Sequence, residues 1–472
     1  LKSGIKKKLQ LVRVARSKLN LLQLYRTNSA YYPALLESVL SDNKQKSFDI
    51  LFLNPQQTLT LDQNFQLSDS HNPSTQQKGE FLAAFNRLWQ AKKSQDSREN
   101  YYPFRGGWFV YLAYELAQQI EPVLKLPQSN SNLPIAYACR FDSALIYDHA
   151  RGETVLICEP GVEQKPLLQK IQTDIQNLKP HNSRSLADIS AISEDDPARY
   201  LSAVAKIKQY IVDGDVFQVN LSRQWDLSIA EQEHAPLAAE LYDTLRVKNP
   251  APFAGLLTIE HQGKKSSIIS SSPERLVKVE KGMVESRPIA GTRPRSDDAQ
   301  QDRVYQQQLH AHPKEQAEHI MLIDLIRNDL GRVCQPGSIE ANELMINESY
   351  AHVHHIVSNV RGQLKDDMLP GDVIRAIFPG GTITGCPKVR CMEIIAEQEK
   401  VPRNAYTGSM GYINHDASMD LNILIRSMIL DEKESSQHLS FRAGAGLVAD
   451  SNAAHELGET RTKALGLLKV FQ

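Results

Sequence analysis

Pairs of carboxylates one helical turn apart are the first feature of this chain that could do chemistry. In PKEQAEHIMLIDLIRNDLGRV (313–333), Glu315 and Glu318 fall on one face of a predicted helix. Near the C-terminus, HELGETRTKALGLL (455–468) places Glu456, Glu459 and Lys463 at i, i+3 and i+7. Like charges at that spacing repel unless water or a cation separates them, so two such pairs could form an all-oxygen site of the kind Mg²⁺ prefers. Two solvated helix faces are the plain alternative. The stretch FPGGTITGCPKVRCMEII (378–395) offers Gly380, Gly381 and Gly385 for tight turns, the hydroxyls of Thr382 and Thr384, and Lys388 at a helix start. That loop is expected to present N–H groups, hydroxyls and the Lys388 ammonium to an anion. His352, His354 and His355 lie in an alternating, strand-like run, where a hydrogen-bonded core role is the default.

The elements that must position these residues change character along the chain. From about residue 20 to 160, short β-type runs such as FDILFL, GWFVYLAYEL, SALIYD and ETVLICE alternate with polar turns, which predicts a sheet with few helices. The segment 179–197 has no periodicity and reads as a link between an N-terminal region, 1–178, and a second region, 197–472. Beyond it, ARYLSAVAKIKQYIVDGD and the 313–333 segment carry helical periodicity and end at Gly214 and Gly331. Strand-like runs (FAGLLTIE, SIISSSPERLVKVE, HLSFRAGAGLVAD) lie between and after them. Strand and helix mixed without strict alternation predict an α+β fold with large antiparallel sheets.

Composition excludes several classes. A formal charge of −1 over 472 residues, 23% of them charged, argues against a nucleic-acid binder. No apolar run is long enough to span a bilayer. Cys139, Cys158, Cys334, Cys386 and Cys391 are scattered without metal-like spacing, as expected of reduced thiols in a cytoplasmic protein. The first 26 residues are basic and free of acid, yet lead directly into strand-like sequence, so a surface strand or arm is expected rather than a transit peptide.

Taken in order, SSSPERL (270–276), RPIAGTRPR (287–295), AEHIMLIDLIRNDLGRV (317–333), VHHIVSNVRG (353–362), the Gly-rich loop, YTGSMGY (406–412), AGAGLVADS (443–451) and ETRTK (459–463) resemble the chorismate-utilising enzymes. The likeness is close over about 200–470 and extends through LLES (35–38) and FRGGWFVYLAYEL (104–116). It implies a large α+β sandwich of antiparallel sheets in two interleaved halves, acting on chorismate with Mg²⁺. Glu318 and Glu459 match the metal-ligand positions, with Glu315 and Glu456 as supporting or alternate ligands. Tyr406, Arg426, Lys463 and the amides of Gly444 and Gly446 match groups that hold the two carboxylates. Glu274 matches the acid that protonates the departing hydroxyl, and His355 the histidine beside the ring. Gly291, Thr292, Thr384 and Lys388 match other pocket positions. Ser38 and Pro250 match a tryptophan pocket.

Gln218 stands where the water-using relatives carry a lysine, so ammonia is the expected nucleophile. QVNLS (218–222), NPAPFA (249–254), GGTITG (380–385) and SFDILF (47–52) resemble aminodeoxychorismate synthase component I, whereas Ala290 is the residue of anthranilate synthase component I. The first is the leading expectation, the second the alternative, and a non-catalytic chorismate- or tryptophan-binding regulator the non-enzyme reading. No glutaminase nucleophile motif occurs, so ammonia is expected from a glutamine amidotransferase partner or as free ammonium.

Overall fold

The computed structural model describes residues 9–39, 47–72, 77–93, 101–178, 192–230, 234–296, 298–310, 313–349, 353–434 and 436–472. Within these, side chains at 77, 230, 290, 292–294, 308–310, 313–315 and 353 are not described. Two antiparallel sheets of 12 strands each form the framework.

In the first sheet the path runs Gln10–Ala15, Glu153–Cys158, Ser143–Asp148, Phe48–Leu53, Ala34–Glu37, Phe253–His261, Lys264–Ser272, Ser427–Glu432, Ser436–Leu447, Gln218–Ala230 and Ser193–Glu194. In the second it runs Ile289–Pro294, Val353–Gln363, Met283–Ser286, Arg275–Glu280, Met419–Asn422, Ser409–Asn414, Gly107–Leu112, Ala136–Phe141, Thr58–Leu61, Gln66–Asp69 and Gln77–Lys78. Each sheet therefore draws strands from both regions that the sequence separates. The seams are Ala34–Glu37 against Phe253–His261 and Gly107–Leu112 against Ser409–Asn414.

The strand FDILFL shows why its sequence is continuously apolar rather than alternating. Ile50 and Phe52 join Phe104, Phe109, Tyr111, Phe141 and Met410 between the sheets. Leu51 and Leu53 face outward into a second cluster with residues of the helices Leu21–Thr27, His234–Lys248 and Ala453–Leu468. Both faces are covered, so both parities must be apolar. Each such side chain contributes about 1.5–3 kcal/mol of burial free energy. The outer face of the second sheet is covered in the same way by Phe81–Ala91, Pro313–Gly331 and Pro370–Ile377.

The expected helices form as Pro197–Val212 and Pro313–Gly331. Asp196 caps the first through Ala198 N–H, and Gly214, at φ +84°, lies just beyond its end. The basic N-terminal segment supplies the edge strand Gln10–Ala15. Residues 179–191 of the expected link lie outside the described residues, but Ser193–Glu194 already pairs with Asp226 and Trp225. No helix among the described residues is long and apolar enough to cross a membrane.

Candidate active site

Two crossovers between the sheets bring the candidate residues together. After Lys264–Ser272 the chain passes through Pro273 and Glu274 into Arg275–Glu280 of the other sheet. After Met419–Asn422 it returns through Ile423–Arg426 into Ser427–Glu432. The crossovers are laced by Ile423 N–H to Glu274 C=O (3.0 Å), Ser271 N–H to Arg426 C=O (3.1 Å) and the Ser272 hydroxyl to Ile423 C=O (2.5 Å). Backbone geometry thus fixes an acid and a cation on adjoining turns.

Glu274 is 6% exposed, and burial raises its carboxyl to about 7. The Thr382 hydroxyl donates to Glu274 Oε1 at 2.8 Å, and Lys463 opposes the rise electrostatically. Arg426 adopts φ +51°, and burial lowers its pKa. Its one contact among the described residues is a long one, Nη1 to Asn249 Oδ1 at 3.4 Å, with no carboxylate beside it. A buried guanidinium without an anion is costly, so the site is arranged to receive one. His355 sits in Val353–Gln363 opposite Thr292; burial, with Arg426 adding to it, lowers the imidazole to about 4. A hydrogen bond with the Gly291 main chain works the other way. The ring is therefore neutral near pH 7.

The opposite wall is the pair Gln218–Ala230 and Ser436–Leu447. Asn220 lies opposite Gly446, and Ser222 opposite Gly444. A Cβ on Gly444 would come within 2.7 Å of the Tyr406 hydroxyl and 2.8 Å of Asn220 Oδ1. On Gly446 it would come within 2.5 Å of Gln218 Nε2. Glycine is needed at both places because side chains from neighbouring elements already fill the space. Lys463, on Ala453–Leu468, donates to Gly444 C=O at 2.9 Å and pairs with Glu459 at 2.7 Å.

A buried ion network braces this wall. Arg403 donates to Glu399 Oε1 (2.6 Å) and Oε2 (3.0 Å), and reaches the main-chain carbonyls of Asn220 (2.7 Å) and Ile383 (3.2 Å). Its guanidinium also lies 5.5 Å from the Tyr406 ring centroid. Arg442 and both the N–H and hydroxyl of Ser222 complete the coordination of Glu399. One arginine so ties the Gly-rich loop, the Gln218 strand and Tyr406 to a single carboxylate.

The Gly-rich loop departs from its expected role. Lys388 does not face outward: Nζ binds Asp329 Oδ2 at 2.6 Å and Ile377 C=O at 3.0 Å, in a buried setting. The Thr384 hydroxyl donates to Gly380 C=O at 3.0 Å, and Thr384 is fully buried. Of the two threonines it is Thr382 that reaches Glu274. Only Gly385 of the three glycines has positive φ, +131°; a Cβ there would lie 2.0 Å from Gln218 C=O. Gly381 is small because Leu325 occupies the space of its missing side chain, at 2.4 Å. The loop is braced internally, and Arg426, Lys463 and Tyr406 are the groups left to meet an anion.

For a metal, His455, Glu456 and Glu459 offer ligand atoms within 4.8 Å of one another. Glu456 is buried and Glu459 half-exposed. Glu318 is half-buried on Pro313–Gly331, which packs on the Gly-rich loop, and is not one of that cluster; the Glu315 side chain lies outside the described residues. This carboxylate-rich donor set fits a hard divalent ion. The Ala290 and Thr292 side chains also fall outside the described residues, although their main chain forms the strand Ile289–Pro294. Ser38 and Pro250 are half-buried near the ends of the paired strands Ala34–Glu37 and Phe253–His261, where Ser38 N–H donates to Asp49 at 3.3 Å.

Comparison with known proteins decides the family. The model of the chorismate binding enzymes matches residues 36–469. The chain belongs to the chorismate binding enzymes. It is 40% identical over 384 residues to the anthranilate synthase component I-like protein of Synechocystis sp., covering 78% of this chain and 73% of that one. To aminodeoxychorismate synthase component 1 of Bacillus subtilis it is 37% identical over 408 residues, covering 84% and 83%. The crystal structure of anthranilate synthase component I from Streptococcus pneumoniae superposes with a TM-score of 0.76 at 28% identity, covering 89% of this chain and 92% of that one.

Sequence reasoning missed the Thr382–Glu274 contact, Asn220 and the Glu399–Arg403–Arg442 network. Thr382 and Thr384 are equivalent as residue types, and only the 3₁₀ turn Gly381–Ile383 separates their directions. Glu399 and Arg403 stand at i, i+4, a spacing that reads as an ordinary solvated pair unless burial is known.

Proposed function

We propose that this chorismate-utilising enzyme aminates chorismate to 4-amino-4-deoxychorismate, a step towards p-aminobenzoate and folate, with ammonia from a glutamine amidotransferase partner in the cytoplasm. Gln218 carries the amination, since a neutral carboxamide is buried beside Gly446 where activating water would require a base. The choice of the 4-amino product rests on the likeness of QVNLS (218–222), NPAPFA (249–254), GGTITG (380–385) and SFDILF (47–52) to aminodeoxychorismate synthase component I. Ammonia attacks without prior loss of a proton; water is a poor nucleophile unless one is removed.

The residues divide the work by their electrostatics. Arg426, Tyr406 and Lys463 supply a planar fork, a hydroxyl and an ammonium for the substrate's carboxylates. Glu274, raised to about 7, holds a proton near neutrality and can deliver it to the departing hydroxyl oxygen. Neutral His355 borders the ring without adding charge. Glu318, Glu456 and Glu459, with Glu315 as a supporting or alternate ligand, would hold Mg²⁺. When bound, the ion neutralises a substrate carboxylate and the charge developing near it. Excess chelator should abolish turnover, and Glu459→Gln should raise the Mg²⁺ requirement by an order of magnitude or more. Ser38 and Pro250 would border a tryptophan pocket, which inhibition by added tryptophan would reveal.

A second reading, anthranilate formation, is favoured by Ala290 in place of a lysine and by the naming of the 40%-identical relative. Pure protein incubated with chorismate, Mg²⁺ and ammonium separates the two. A product converted to p-aminobenzoate only after aminodeoxychorismate lyase is added supports the leading reading. Anthranilate fluorescence without the lyase replaces it with the second.

A further inference from the structure

We propose that the side-chain carbonyls of Gln218 and Asn220 form the binding site for ammonia, an inference that rests on the amination reading above. Along Gln218–Ala230, Gln218 and Asn220 share a face. Their carboxamides lie against Gly446 and Gly444 of the paired strand, Gln218 through Nε2 and Asn220 through Oδ1. Gln218 Oε1 and Asn220 Oδ1 are both buried and have no hydrogen-bond partner among the described residues. Native proteins seldom leave one buried acceptor unpaired, and two on one face call for a ligand rich in donors.

Ammonia meets that requirement. It has three N–H bonds and one lone pair, so two carbonyl acceptors can take two N–H groups and leave the lone pair free to point at the ring. The acceptors are neutral. The charged groups bordering the same two strands are Lys463, paired with Glu459, and the Glu399–Arg403–Arg442 network, which has two cations to one anion. The free base is therefore favoured over ammonium. Water could donate to the same oxygens, but neither carboxamide can take the proton that water must lose as it attacks. Asn220 Oδ1 and the Tyr406 hydroxyl both lie against Gly444, 2.8 and 2.7 Å from where a Cβ would stand. The ammonia site therefore adjoins the groups assigned to the substrate's carboxylate.

The test measures KM for ammonium at saturating chorismate, and KM for chorismate at saturating ammonium, in the wild type, Asn220→Leu, Gln218→Leu and Asn220→Asp. Losing one acceptor should raise the ammonium KM about tenfold, the scale of one buried hydrogen bond, with chorismate KM and Tm nearly unchanged. In the wild type the KM for total ammonium should fall as pH rises, because only the free base fits. Asn220→Asp keeps the shape but adds a charge, so it should hold the cation and flatten that dependence. An unchanged ammonium KM in all three variants, or equal rises in both KM values, overturns the site while leaving amination intact. A leucine variant that fails to fold leaves the decision to Asn220→Asp, whose unaltered pH dependence would overturn it. A wild type that forms no amine from chorismate and ammonium sinks the amination reading, and this inference with it.

Discussion

Burial lifts the Glu274 carboxyl to about 7, and that single shift makes both turnover and stability fall as pH rises, in adjoining windows. The acid must carry its proton to protect the leaving hydroxyl, so kcat at saturating ammonia should fall about tenfold per pH unit above that value. For stability, the unfolded chain releases this proton near 4.5 while the folded chain keeps it until about 7. Stability is therefore lost as pH rises from 4.5 to 7 and is level beyond. Glu274→Gln should lower kcat by about 10²–10⁴, yet stabilise the fold above pH 7 by up to roughly 3 kcal/mol. Denaturant titrations at pH 5 and pH 8 would show the gain only at the higher pH; an equal gain at both would mean that Glu274 is ionised in the folded state. His355 carries the opposite sign. Held at about 4, it stays neutral in the fold while the unfolded chain protonates near 6.5, so its contribution is lost as pH falls through that window.

At the scale of elements, the Gly-rich loop is held by a buried ion pair where the sequence suggested an anion receptor. Lys388 opens the helix Lys388–Glu399, and Asp329 lies near the end of Pro313–Gly331, so their 2.6 Å contact pins two helices and the loop between them. Removing one partner strands a buried charge. Lys388→Met should destabilise by about 3–5 kcal/mol, while Lys388→Met with Asp329→Leu should recover most of that loss. Chemical denaturation of the two variants checks this. A single variant as stable as the double would place Asp329 in water. The motifs 270–276, 378–395 and 443–451 were legible because they are contiguous and rich in residue types with few uses. The direction of Lys388 was not, because a lysine at a helix start looks the same whether an anion or Asp329, 59 residues away in sequence, receives it. Both long helices were legible from periodicity, and so was the alternation of Val353–Gln363. His234–Lys248 was not: it is buried around much of its circumference, with Leu237, Ala238, Ala239, Leu241, Tyr242 and Leu245 all covered, so no apolar stripe stands out.

Over the whole molecule, the α+β class was legible from the unalternated mix of strand-like and helical runs, whereas the interleaving was legible only through the resemblance. Composition shifts near residue 180 but is silent on which strand pairs with which, and pairing is what merges the regions. The sequence also lacks a glutaminase nucleophile motif. Pure protein should thus use high ammonium unaided and glutamine only when an amidotransferase subunit is added. Glutamate release from glutamine by this chain alone would contradict the prediction.

The two seams between the regions also bear on how the protein is made. Gly107–Leu112 finds its second neighbour only when Ser409–Asn414 exists, and Ala34–Glu37 must wait for Phe253–His261 on its other side. On a ribosome, most of the polypeptide has emerged before the second sheet can be completed, and until then apolar strand edges stand uncovered. Nascent chains should accordingly engage chaperones late and for long, and truncation before residue 409 should yield aggregates instead of a smaller folded unit. A gene of this design resists being cut, since neither piece carries a complete sheet.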